Sequence, residues 1–133
     1  MAIVLDTDVI IRDERSVFDL KRWVASRPSE QFAIAAITIA ELWHGVERAT
    51  EAFKAEREAY VHRILSSVRT LPYTEVTAIE HARLWAELES SGNMIGYYDL
   101  IVAATALEHG GTVATFNRRH FSQVPGLIVV VPA

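Results

Sequence analysis

The run Ala2-Ile3-Val4-Leu5 ends in Asp6-Thr7-Asp8. Four apolar residues followed by a carboxylate read as a short buried strand with an acid at its carboxyl end. In an open parallel sheet, ligands gather at the carboxyl ends of the strands. Asp6 therefore stands where such a fold does its chemistry, unless it only caps the helix that follows. Three later stretches are placed to meet it: Ile37–Gly45, Ile95–Ala104 and Thr115–Phe121.

Between these stretches, strands alternate with helices. Val9-Ile10-Ile11 reads as a first helical turn. Ser16, with Asp19 three residues on, reads as the cap of a helix running to about Arg27, where Pro28-Ser29 ends it. Phe32–Ala36 reads as a second buried strand. Thr38 and Glu41 have capping-box spacing, which predicts a helix from there to about Ala49. Glu51–Ser67 reads as a long amphipathic helix with a solvated face at Glu51, Lys54, Glu56, Arg57 and Glu58. The two would form a helical hairpin. Val68–Tyr73 holds a third strand, and Thr74 or Thr77 caps a helix to about Glu89. Ser90–Asn93 is a loop. Asp99 opens a helix to His109 so rich in small and apolar residues that it should be buried on most sides. Gly110-Gly111 stops it. Thr112–Thr115 and Leu127–Val131 complete five strands. Near-continuous apolar strands between helices predict an α/β fold around a parallel sheet covered on both faces.

Composition narrows the chemistry. The 133 residues fit one domain, residues 1–133, and half are hydrophobic, enough for one core. There is no cysteine, which excludes disulfides and thiolate metal sites. The longest nearly apolar run, Phe32–Ala40, is too short to span a bilayer, so no membrane association is expected. With Met1 leading directly into the first strand, no signal peptide is expected, and the cytoplasm is the expected compartment. The net charge of −4 argues against gripping nucleic acid by bulk electrostatics. It leaves open an enzyme that acts on nucleic acid, because acids with bound cations present a local positive face.

Only five aspartates occur: Asp6, Asp8, Asp13, Asp19 and Asp99. Asp13 and Asp19 lie in charged segments and read as ordinary surface. Asp8 reads as a turn or cap residue whose side chain diverges from that of Asp6. Asp6 and Asp99 fall at boundaries between apolar segments, where an unpaired carboxylate is costly to bury. Glu41, in the first turn after the second strand, can point back toward the strand ends. Neighbouring carboxylates raise one another's pKa unless a cation joins them, and a hard divalent ion such as Mg²⁺ or Mn²⁺ does so. Each position also has an ordinary structural reading: a capping box for Glu41, an N-cap for Asp99, a turn for Asn117.

The motifs Ile3-Val4-Leu5-Asp6-Thr7-Asp8, Ile37–Leu42 with Gly45, Ile95–Ala104, and Val113–Asn117 with His120-Phe121 and Val124–Leu127 together resemble the PIN-domain family. Within it they are similar to the VapC-type toxins of toxin–antitoxin pairs. The resemblance covers nearly the whole chain. It implies a three-layer α/β/α sandwich with a central, mostly parallel sheet of four to five strands. It also implies a metal-dependent endoribonuclease acting on tRNA or a structured RNA loop, with Mg²⁺ as cofactor and Mn²⁺ able to substitute. Asp6, Glu41, Asp99 and Asn117 match the family's catalytic positions, and Asp6, Asp99 and Glu41 its metal positions. Two departures remove negative charge: Asn117 where relatives often carry Asp, and His120 where they are commonly acidic. Both bear on whether a second metal is held. The partners implied are RNA, a cognate antitoxin lying in an apolar groove near Trp43, Val46 and the Phe53–Leu65 helix, and a second copy in a homodimer.

Arg118, Arg119 and His120 follow Asn117 and are placed to grip flanking phosphates, and Arg12 is the basic residue nearest Asp6 in sequence. His44, His62, His81 and His109 read as surface or packing residues. Two other readings compete. Asp6-Thr7-Asp8-Val9 resembles the start of a haloacid-dehalogenase-like phosphatase with Asp6 as nucleophile. Such an enzyme needs a lysine near the phosphate, and Lys21 and Lys54 both fall on surface helix. The third reading is a catalytically idle RNA-binding PIN module.

Overall fold

In the computed structural model, which describes residues 2–133, five strands form one sheet in the order β3-β2-β1-β4-β5. These are β1 (Ala2–Leu5), β2 (Gln31–Ala35), β3 (Arg69–Leu71), β4 (Thr112–Ala114) and β5 (Ile128–Val130). Every neighbouring pair is parallel, with Val4 opposite Ala33 on one side and Val113 on the other. The sheet is thus more uniform than the mostly parallel arrangement expected. Side chains alternate faces. Ala2 and Val4 enter one core cluster with Ala33, Ala35 and Val113, while Ile3 and Leu5 enter a second with Ile34 and Ala114.

Two helical layers cover these faces. On one side lie α1 (Thr7–Glu14), α2 (Leu20–Ala25), α3 (Ala36–Arg48) and α4 (Glu51–Ser67). On the other lie α5 (Glu75–Ser91), α6 (Tyr97–Glu108) and the short α7 (Arg118–Phe121). This is the three-layer α/β/α sandwich. The alanines of β2 face α6, whose Ala103, Ala104 and Ala106 are fully buried. Small residues on both partners let helix and sheet approach closely, so α6 is buried on most sides as its composition predicts.

Several helix starts differ from expectation. Ser16 caps nothing: its φ of +60° puts it in a left-handed turn. Asp19 caps α2 instead, by accepting from the Arg22 N–H, and Asp13 Oδ1 accepts from the Leu20 N–H. The helix of the second motif begins at Ala36, directly off β2, so Thr38 is a buried interior residue and the expected capping box is not formed. A capping box does exist at Thr74 with Thr77. The fourth motif contains α7, which four residues of sequence could not reveal. At the end of α5, Gly92 takes φ +74°, the left-handed conformation that glycine adopts most readily.

The chain fills the sheet from β1 outward to β3, then returns to place β4 on the opposite side of β1. The crevice between the carboxyl ends of β1 and β4 is therefore the topological switch point, where open α/β sheets bind ligands.

Candidate active site

Asp6 emerges from β1 into that crevice. Its backbone N–H donates to Ala114 O on β4 at 2.9 Å, which locks the strand end in place. Oδ1 accepts from the Thr7 N–H at 2.8 Å, so the capping role is real. Oδ2 accepts from the Thr115 hydroxyl, also at 2.8 Å. Thr115 is fully buried and takes a 2.9 Å hydrogen bond from the Asn117 N–H, so one hydroxyl ties β1 to the fourth motif. Capping and chemistry are compatible here, because each carboxylate oxygen keeps a second lone pair.

Glu41 is one helical turn beyond the start of α3. In place of a cap partner, its Oε1 accepts from the Thr7 hydroxyl at 2.6 Å, and that hydroxyl lies 3.1 Å from the Thr38 hydroxyl. Asp99 is in the first turn of α6 and does not cap it; Gly96 occupies that position. The carboxylate so placed faces the positive end of the helix dipole. Its Oδ2 lies 3.1 Å from His120 Nδ1, which is 2.9 Å from Asn117 Nδ2. One ring nitrogen donates to Asp99 or accepts from the Asn117 amide, never both at once, so the tautomer of His120 decides which partner is held.

The carboxylates act on one another. Burial, then Asp8, and more weakly Asp99 raise the Asp6 pKa to about 8, against the opposing hydrogen bond from Thr115. Burial and Asp99 likewise push Glu41 up. Asp99 thus lies within electrostatic reach of both Asp6 and Glu41. Asp8 joins them, contrary to the expectation that it diverges. It sits beside the Thr115 hydroxyl and accepts from the Phe116 N–H at 3.1 Å, and burial raises its pKa as well. Sequence reasoning missed Asp8 because it treated the turn after β1 in isolation. The structural partner, Thr115, lies more than a hundred residues away.

The donor set suits a hard cation: it is all oxygen, mutually repelling and partly buried. Among the described residues, no group of three or more His, Asp or Glu side chains is arranged to hold a metal ion as it stands. Mg²⁺ does not require such a cage, since it binds one or two carboxylates and fills the rest of its shell with water and substrate phosphate. Among the described residues, no lysine hydrogen-bonds or ion-pairs with Asp6. Lys54 instead lies 4.0 Å from Glu47 on the helical hairpin.

The expected phosphate grips divide. Arg12 stacks over the Phe116 ring at 4.3 Å and lowers the Asp8 pKa. Arg118 and Arg119 are exposed on α7. The groove along α3 and α4 is less apolar than expected. Val46, Val61 and Ile64 are core residues, and Trp43 packs edge-on to His62 at 5.3 Å. Arginines line much of what remains open. No helix among the described residues is long and apolar enough to cross a membrane.

Against known proteins, a sequence profile of the PIN domain matches residues 3–127. Ribonuclease VapC10 of Mycobacterium tuberculosis is 36% identical over 120 residues, covering 90% of this chain and 85% of its own. The tRNA(fMet)-specific endonuclease VapC of Salmonella typhimurium is 30% identical, covering 96% and 95%. The DNA-bound VapBC crystal structure from Salmonella typhimurium superposes with a TM-score of 0.88 at 28% identity, covering 97% and 96%.

Proposed function

The chain belongs to the PIN-domain family, and from that premise we propose that it is a VapC-type endoribonuclease, the toxin of a toxin–antitoxin pair, cleaving RNA with a divalent cation. The observation that carries this reading is that Asp99 raises the cost of charge on both Asp6 and Glu41 beside the switch point of the sheet. The Salmonella relative is a tRNA(fMet)-specific endonuclease, which supports tRNA or a structured RNA loop as substrate.

Asp6 and Asp99 are the proposed ion ligands, with Glu41 reaching the ion directly or through water. When bound there, Mg²⁺ or Mn²⁺ neutralises charge on the scissile phosphate and acidifies a water. The remaining work falls to the chain. Thr115 and the Thr7 N–H fix the two oxygens of Asp6. Thr7 holds Glu41 by Oε1, which leaves Oε2 to take a proton from the attacking water. Asn117 and His120 orient Asp99 and water near it. Cleavage leaving 5′-phosphate and 3′-hydroxyl ends is expected.

The solved relative is a VapBC complex, which supports a cognate antitoxin for this chain. A homodimer is also proposed. Trp85 on α5, Met94 in the loop after it and Tyr97 at the start of α6 are large apolar side chains left exposed, and Trp85 meets Tyr97 edge-on, which supports a partner surface there.

The test is cleavage of a total tRNA pool by antitoxin-free protein with Mg²⁺ or Mn²⁺, beside EDTA and Asp6→Asn samples. The expected result is a few discrete bands, lost with EDTA and lost in the variant. Cleavage that survives both would refute the acidic site, and RNA binding without cleavage would point to the idle binding module.

A further inference from the structure

Two cavities of about 360 Å³ each lie between the end of α1 and the α3–α4 hairpin, and both are lined by Glu14, Arg15 and Arg57. They form one trough. Its inner end reaches Glu41, with Arg48 on the wall, and its outer end is flanked by Arg63 and Phe53. Among the described residues, none of Arg15, Arg48, Arg57 and Arg63 lies within ion-pair distance of a carboxylate. The trough therefore carries four unpaired guanidinium groups against Glu14 and Glu56, once Glu41 at its acidic end is set aside. The whole chain has a net charge of −4. Arginines gathered without counter-ions repel one another, and a polyanion relieves that repulsion while accepting the paired N–H donors of each fork.

We propose that this trough is the path of the RNA backbone away from the acidic site, with Arg15, Arg48 and Arg57 holding successive phosphates and Phe53 stacking an unpaired base. The proposal rests on the ribonuclease reading and names the form of substrate it takes. Phe53 is 59% exposed, although it is a large aromatic side chain on a helix whose Val61 and Ile64 are buried. An exposed ring between arginines is the arrangement that binds single-stranded nucleic acid, by stacking plus backbone charge. A duplex offers no splayed base to such a ring, so the trough selects a loop or an unpaired end. Arg57 is already steered inward, with Nη1 donating to Gly45 O at 3.4 Å.

The experiment reads binding apart from cleavage. In the Asp6→Asn chain, affinity for a fluorescent tRNA pool is measured across a range of KCl concentrations. Replacing Arg15, Arg48 and Arg57 together by Gln is expected to flatten the slope of log K against log salt by about 2, since each single-strand phosphate contact contributes about 0.7. Lys at the same positions is expected to restore the slope but not all the affinity. Phe53→Ala is expected to weaken binding at unchanged slope. In the Asp6-intact chain the triple variant should raise KM with kcat held. Circular dichroism and melting confirm that each variant folds, and the single Arg→Gln variants serve if the triple does not.

An unchanged slope in the folded triple variant overturns the proposal. So does a slope that falls only when Arg118 and Arg119 are replaced, or a trough whose arginines matter for a purified antitoxin but not for RNA. The two readings fail separately. EDTA-sensitive cleavage with an unaltered triple variant removes the trough and keeps the nuclease. A flattened slope in a chain that never cleaves keeps the trough and removes the nuclease.

Discussion

Asp6, the first proposed ion ligand, stands at a cost to stability. Its carboxyl is buried, and its pKa is raised from 3.8 to about 8. A raised folded-state value means that the fold favours the protonated form. Below about pH 4 both states are protonated and no penalty arises. As pH climbs toward 8 the unfolded chain ionises first, so stability is lost across that window. In EDTA at pH 8, Asp6→Asn is therefore expected to melt above the wild type, by an amount on the order of a few kcal/mol. At pH 3 the two should melt together, and added Mg²⁺ at pH 8 should raise the wild type more than the variant. Equal melting temperatures at pH 8 in EDTA would falsify this account of the site. Residues of this kind were legible in the sequence because an acid at the end of an apolar run has few inexpensive explanations. Asp8 was not legible, because what draws it inward is a hydroxyl and an N–H from the fourth motif.

At the scale of the element, α6 carries Asp99 and lies against the alanine face of β2. Its composition announced deep burial, and the structure agrees. Its cap lies three residues before Asp99 and was misread, since Asp is a common cap and nothing local shows that Gly96 does the capping. The second motif was misread for a related reason. Thr38 and Glu41 have capping-box spacing, but β2 runs into α3 without a loop, so Thr38 turns inward and Glu41 pairs with Thr7. Helix existence follows from periodicity within a segment, whereas helix starts depend on what the preceding strand does. Because α6 and β2 meet through small side chains, Ala103→Leu is expected to cost about 1–3 kcal/mol by overpacking. It should also reduce cleavage by displacing Asp99, with urea denaturation and the tRNA assay as the two measurements.

For the molecule as a whole, the apolar face of α5 and α6 makes the clearest demand. Trp85 stacks on His81 at 5.7 Å and meets Tyr97 edge-on at 6.1 Å, an ordered aromatic surface open to water. Trp85 is 39% exposed and Tyr97 68%. Trp85→Glu is expected to leave the fold intact and to halve the mass seen in sedimentation equilibrium. A wild type that sediments as a monomer would remove the proposed dimer. The strand order was partly legible in the sequence, since alternation of strand and helix restricts the choices, but the reversal at β1 was not. That reversal has a temporal consequence. β1 is made first, yet its neighbour β4 and the hydroxyl that holds Asp6 come from residues 112–115. A chain still on the ribosome with its first hundred residues made has an open central edge and no assembled acid cluster. The proposed site therefore cannot assemble before Thr115 has been made, and an inhibitor of the proposed activity has nothing to act on until then.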